Sequence, residues 1–197
     1  TRDVEKAKSL LAEAGAEGLK LQLIALTDST SQSVAQIIQA SLGEAGITIE
    51  IQPTEEAAYW AAGDKTAGDA YLGLELALMN FAGGIDPTEN LVWFRPDQIG
   101  IYNWSFFDSP EFEDLYQKSL GETDQAKRKV MFNKMEDLME ESGGFVFICF
   151  ERAIASSEGC SYFSVIISTS SKPFSPKNSL KVFASSSDSL ASPMRIR

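Results

Sequence analysis

Residues 19–51 constrain this chain more than any other stretch. Leu19, Leu21 and Leu23 alternate before the run to Leu26 turns continuously apolar, which is the pattern of a strand. Residues 27–31 are rich in helix-capping types, and Val34, Ile37, Ile38, Leu42 and Ala45 then share one helical face. Gly46 closes that helix, and Ile47, Ile49 and Ile51 alternate as the next strand. Strand, helix and strand with such short joints form a βαβ unit, so the two strands are expected to be parallel. Parallel strands need cover on both faces. The expectation is therefore an α/β domain, a small mixed sheet flanked by helices.

The flanking segments fit that plan. Residues 3–14 carry Val4, Ala7, Leu10, Leu11 and Ala14 at helical spacing, with Asp3 as N-cap and Gly15 as stop. Thr54 is positioned to cap a helix running through Trp60. Residues 71–79 are nearly all apolar and predict a strand covered on both faces. Glu75 interrupts that run; an edge position or a slight bend in register would each expose it. Residues 80–103 are punctuated by Gly and Pro, with a short helix expected over 87–94. Ser109 and Pro110 open a helix whose apolar face is Phe112, Leu115, Tyr116 and Ser119. A further helix starts near Thr123, with Met131, Met135, Leu138 and Ser142 on one face and Phe132 and Met139 flanking. Its charges oppose its dipole. Lys127, Arg128 and Lys129 lie near the start, Glu140 and Glu141 near the end, and each such placement costs about 0.3–1 kcal/mol when exposed. Packing of its apolar face must therefore hold it. Gly143 and Gly144 end it, and residues 145–150 return as a buried strand.

From about Arg152 the character changes. Residues 156–192 are crowded with serine, broken by Pro173 and Pro176, and keep two short apolar patches, 165–167 and 180–183. Serine tracts bury too little surface to offset ordering entropy. The domain reading is thus residues 1–151 as one lobe and 152–197 as a serine-rich, weakly ordered tail with one or two strands at most.

Chemistry is hard to place here. A net charge of −11 argues against nucleic acid, which needs clustered Lys and Arg. The chain has no His, and its two cysteines, Cys149 and Cys160, form no framework, so neither a zinc site nor a catalytic cysteine is expected. No phosphate-binding glycine motif or nucleophile elbow occurs. No cofactor, no metal and no catalysis are expected. Glu111, Glu113 and Asp114 sit where a helix starts and favour its dipole. No apolar run nears the ~20 residues that cross a bilayer. The chain begins with Thr and shows no leader, so it reads as a fragment or a processed product.

Binding residues are easier to nominate. Open α/β sheets bind ligands beyond the carboxyl ends of their strands. The strand at 71–79 delivers Asn80, Phe81, Gly83, Gly84 and Asp86 there. Asn80 suits an amide or hydroxyl, and the glycines allow close approach; Asp86 equally suits a cap for the helix at Pro87. Of Trp60, Trp93 and Trp104, the last, beside Asn103 in a loop, is the better cleft candidate, whereas Trp93 in L-V-W-F reads as core.

The motifs N-F-A-G-G-I-D-P-T-E-N-L, Y-N-W with S-P-E-F-E-D-L, and D-Q-A-K-R-K-V-M-F-N-K-M-E-D-L-M-E-E follow one another in order, after D-V-E-K-A-K-S-L-L-A-E-A-G and A-G-I-T-I-E-I. That series resembles the C-terminal lobe of extracytoplasmic solute-binding proteins serving peptide- and nickel-type ABC importers, over about residues 3–151. The resemblance implies a periplasmic-binding-protein-like lobe lacking its partner, the N-terminal lobe. It implies capture of a peptide or similar small polar solute, with ligand contacts at Asn80, Phe81, Gly83, Gly84, Asp86, Asn103 and Trp104. It also implies hinge closure, docking on permease subunits at the membrane, and a periplasmic or extracellular location. In peptide-binding relatives an acidic residue just upstream of the D-P pair grips the peptide amine. Here Gly83 or Gly84 stands at that place, leaving Asp86 or Glu89 to substitute. The alternative from another class is an acidic protein-interaction module with no small-molecule ligand.

Overall fold

The computed structural model describes residues 3–82, 86–152 and 161–168, with side chains over 3–81 and 86–148. Gly83, Gly84, Cys160 and the serine-rich stretches beyond residue 168 lie outside the described residues, as does the side chain of Cys149.

The elements run α1 (Val4–Glu13), β1 (Lys20–Leu26), α2 (Ser29–Glu44), β2 (Thr48–Thr54), α3 (Glu56–Gly63), β3 (Leu76–Ala82), α4 (Pro87–Leu91), α5 (Pro110–Gly121), α6 (Gln125–Ser142), β4 (Phe145–Arg152) and β5 (Ser161–Ser168). Short 3-10 turns fill Lys65–Ala67, Asp69–Gly73, Val92–Phe94 and Pro96–Gln98. The sheet order is β2-β1-β3-β5-β4. β1 pairs in parallel with β2 and with β3, while β5 pairs antiparallel with both β3 and β4. The sheet is mixed, as expected. β5 contains the apolar patch at 165–167 and lies between β3 and β4.

Strand alternation divides the core in two. Leu23, Ala25, Leu76 and Leu78 face α1 and α2, joining Ala7, Leu11, Ala35, Ile38, Ile47 and Ile49. Ile24, Ala77, Met79 and Phe81 face the other way, into a larger core with Tyr59, Phe94, Trp104, Phe112, Tyr116, Phe132, Met135 and Met139. β1 and β3 are thus covered on both faces, which is why they read as nearly unbroken apolar runs.

Several local expectations shift by a turn or less. β3 begins at Leu76, because Asp69–Gly73 forms a 3-10 turn instead of strand. This resolves Glu75. It sits exposed, just ahead of the strand, and its carboxylate accepts the Gln22 backbone N–H at 2.6 Å, a donor that the short β1–β3 ladder, Leu23 with Leu76 and Ile24 with Ala77, leaves over. Thr54 ends β2 instead of capping α3, whose N-cap Glu55 makes no side-chain capping bond. On α2 the buried line is Ser31, Ala35 and Ile38, and Ile37 stands 66% exposed. On α6 the buried line is Phe132, Met135 and Met139, rotated slightly from the expected Met131, Met135 and Leu138. One-dimensional apolar spacing cannot separate two stripes a residue apart when both are hydrophobic.

The misdirected charges of α6 have a partial answer. Arg128 leaves solvent to pair with Asp86, so one cation near the start is absorbed by tertiary structure. Near the other end Glu136 is half-buried beside Glu140 and Asp137. Burial first, then those neighbouring charges, push its carboxyl from 4.5 up to about 7. The folded protein then holds this proton more tightly than the unfolded chain does. Ionising Glu136 costs the folded state, and stability is expected to fall as pH rises from about 4.5 to about 7. Urea midpoints measured on both sides of that window should show this slope, and Glu136→Gln should flatten it and raise the midpoint on the alkaline side. An unchanged slope in the variant would remove Glu136 as its source.

Candidate functional site

The segments that follow the carboxyl ends of β2 and β3 meet the loop 98–107. α3 follows β2 and carries Tyr59 and Trp60; α4 and the turn Val92–Phe94 follow β3 and carry Trp93. Their rings gather around Tyr102 and Trp104. Trp60 lies 5.8 Å from Trp104 and 6.1 Å from Tyr102, and Trp93 lies 4.8 Å from Tyr102, all near-perpendicular. Edge-to-face rings at these separations are the favoured arrangement. Trp60 and Trp93 are half-buried, and Tyr102 and Ile101 are just over a third exposed. The result is a row of rings, Trp60, Tyr102 and Trp93, with solvent-facing area at the strand-end side of the sheet.

The floor beneath this row is rigid. Trp104 is 2% exposed, and its indole Nε1 donates to the Ile101 carbonyl at 2.8 Å. Tyr59 is buried and donates its hydroxyl to the Leu78 carbonyl at 2.7 Å, and burial pushes its phenol well above the usual range. Asn103 is fully buried. Its Nδ2 donates to the carbonyls of Phe94, Arg95 and Phe107, and its Oδ1 accepts from the Phe107 N–H and the Ser105 hydroxyl. Gly63 closes α3 directly against the Trp104 ring. Lys65 completes the joint, its N–H bound to the Gly100 carbonyl at 2.8 Å.

The residues nominated from sequence are divided by this geometry. Asn80 and Phe81 are neighbours on β3 and so point to opposite faces. Asn80 is exposed, whereas Phe81 is 6% exposed and packs at 5.1 Å against Phe94. Phe81 and Trp104 share the larger core, and Asn103 braces the loop above it. Burial takes all three out of contact with solvent. Asp86 caps α4, accepting from the Thr88 N–H at 2.9 Å and hydroxyl at 2.6 Å, and meets Arg128 through both oxygens at 2.7 Å. The Arg128 guanidinium is the largest cause holding its carboxyl well below the usual range. That contribution to stability is present above the ordinary carboxylate pKa and is lost as pH falls below it.

The exposed rings were the missed signal. The structure buries Trp104, the cleft candidate, and leaves Trp93 half-buried, packed against the core with part of its ring in solvent. In L-V-W-F, Leu91 and Phe94 are the buried pair, and the turn Val92–Phe94 rotates Trp93 outward. Tyr102, inside the Y-N-W motif, carries no spacing signal that marks it as a surface ring.

A mixed sheet with helices on both faces and its candidate site beyond the parallel strand ends is the architecture of one periplasmic-binding-protein-like lobe. Residues 1–97, just under half of the chain, match the family model described as "Bacterial extracellular solute-binding proteins, family 5 Middle". It is 26% identical over 159 residues to Di/tripeptide-binding protein 4 of Pseudomonas aeruginosa, an alignment covering 76% of this chain and 28% of that protein. Among solved structures it is similar to the ABC transporter-associated periplasmic binding protein DppA from Helicobacter pylori, in complex with the peptide STSA. That match has a TM-score of 0.60 and 26% identity, and covers 85% of this chain and 30% of that one. HbpA2 from Haemophilus parasuis superposes with a TM-score of 0.63 at 18% identity, over 84% of this chain and 31% of that one, a likeness of fold. The chain therefore spans less than a third of the length of these relatives. Among the described residues no helix is long and apolar enough to cross a membrane.

Proposed function

We propose that this chain forms part of the substrate-binding component of an ABC importer, contributing one wall of a site for a peptide or similar polar solute. The observation that carries this reading is the row Trp60, Tyr102 and Trp93, held over a rigid floor beyond the parallel strand ends, in a chain that matches this family's model over residues 1–97. Rings fixed on a scaffold offer contact area at low entropic cost, and their N–H and O–H edges suit amide-bearing ligands. The peptide complex of the Helicobacter relative and the di/tripeptide-binding name of the Pseudomonas relative support a peptide ligand. Asp86 is engaged with Arg128 and Thr88, so a peptide amine is left to exposed Glu89 or to a residue beyond this chain. The role is capture and not catalysis, outside the cytoplasm, with delivery to membrane permease subunits after closure of a second lobe.

One wall without its partner encloses little of a ligand. Binding by the chain alone is expected to be weak, with a dissociation constant of about 1 mM or above, near 4 kcal/mol. Titration of short peptides and of oligosaccharides, followed by NMR, tests this. Shifts should concentrate at the Trp60 and Trp93 indoles and Tyr102, and Trp93→Ala should abolish them. Perturbation elsewhere on the surface, or none with any peptide up to saturation, would remove the reading.

A further inference from the structure

We propose that Arg128 and Arg95 are positioning residues, a pair of guanidinium clamps that fix residues 86–95 at both ends and so present Trp93 to the ligand; this rests on the site proposed above. At the leading end, Arg128 meets Asp86 in a two-pronged bond, Nη1 to Oδ2 and Nη2 to Oδ1, both 2.7 Å. Its Nε donates to the Ser119 carbonyl in the last turn of α5 at 3.0 Å, and its guanidinium lies 5.0 Å over the Phe132 ring. At the trailing end, Arg95 meets Glu113 of α5 in the same manner, Nε to Oε2 at 2.9 Å and Nη2 to Oε1 at 2.8 Å. It also pairs with Asp97 and lies 5.0 Å over the Tyr116 ring.

The two clamps share a base. Both land on the helix pair α5–α6, and both seat a planar cation on an aromatic ring of that pair. Between them α4 is a helix of five residues, too short to be stable by itself. Leu91 and Phe94 anchor its underside in the core. Two-pronged Arg–carboxylate bonds fix direction as well as distance, which a lysine point charge does not. With both ends oriented, Trp93 has one outward position left, against Tyr102. Asp86 on this account is a bridging residue whose two oxygens are already taken up within the chain.

Fluorine NMR of the chain carrying fluorotryptophan, with resonances assigned by Trp→Phe variants, tests the clamps. Arg128→Gln and Arg95→Gln should each shift or broaden the Trp93 resonance and leave that of buried Trp104 in place. Amide hydrogen exchange in α4 should rise about 10-fold in either variant and change less than about two-fold in β1. Arg128→Lys, a gentler change should the Gln variant fold poorly, should fall between wild type and Gln. A Trp93 signal that stays put in both variants, or three Trp signals moving together with exchange rising everywhere, would overturn the proposal. Added peptide separates the two claims. Trp93 moving with the Arg variants but not with peptide defeats the site and leaves the clamps standing.

Discussion

Gly63→Ala is expected to be the most damaging small substitution in the described chain, lowering stability by about 3 kcal/mol or more. A Cβ at position 63 would lie 1.8 Å from Cε2 and 2.1 Å from Nε1 of Trp104. The indole cannot yield. It is 2% exposed, packed 5.2 Å from Tyr59 and 5.8 Å from Trp60, and tethered to the Ile101 carbonyl. Ordinary helix energetics point the other way, since alanine is favoured over glycine within a helix by about 1 kcal/mol. Gly43 in α2 supplies the contrast: nothing would lie within 4 Å of a Cβ there, so Gly43→Ala should be neutral or stabilising. For a chain of this size the Gly63 variant should melt about 6–12 °C lower, at roughly 2–4 °C per kcal/mol. Pairing it with Trp104→Leu should recover part of the loss. If Gly63→Ala melts like wild type, the docking of α3 on the loop 98–107 is wrong, and with it the floor of the proposed site.

The sheet was legible because its signals are local and redundant. Alternation at Ile47, Ile49 and Ile51, apolar runs in β1 and β3, and cap residues Asp3 and Ser109 each act within a few positions, and each lies where the pattern puts it. Glu75 was opaque for the opposite reason. Its partner is the Gln22 N–H, 53 residues away, and no spacing within its own segment encodes that bond. The Asp86–Arg128 pair, separated by 42 residues, was hidden in the same way and made the charges of α6 look gratuitous. The aromatic site failed on a finer point. A tryptophan's sequence neighbours show that it is near apolar side chains, not which side of a 3-10 turn it occupies. One residue of rotation at Val92–Phe94 exchanges core for surface.

Asn103 shows most clearly how a ligand-like residue becomes a structural one. An asparagine between two aromatics in a loop invites a reading as a solute contact, yet its amide is consumed within the chain. Asn103→Ala should take one acceptor from the Phe107 N–H, which keeps the Ser105 hydroxyl, and a donor from the carbonyls of Phe94, Arg95 and Phe107. At about 1–3 kcal/mol for a buried group that loses a partner, with the Phe107 N–H and the Arg95 carbonyl each keeping another, the expected loss is about 2–4 kcal/mol. Asn103→Asp is the informative companion. It keeps the acceptor for the Phe107 N–H and the Ser105 hydroxyl but turns a carboxylate towards the carbonyls of Phe94, Arg95 and Phe107. A structural Asn therefore predicts that Asp is as damaging as Ala, with stability partly regained at acid pH as the carboxyl takes up a proton and donates again. A ligand-contact Asn predicts normal melting in both variants and a selective loss of solute binding. Urea denaturation of the two variants, across neutral and mildly acid pH, decides between them. Normal stability in Asn103→Ala would return Asn103 to the ligand and take the brace away from Trp93.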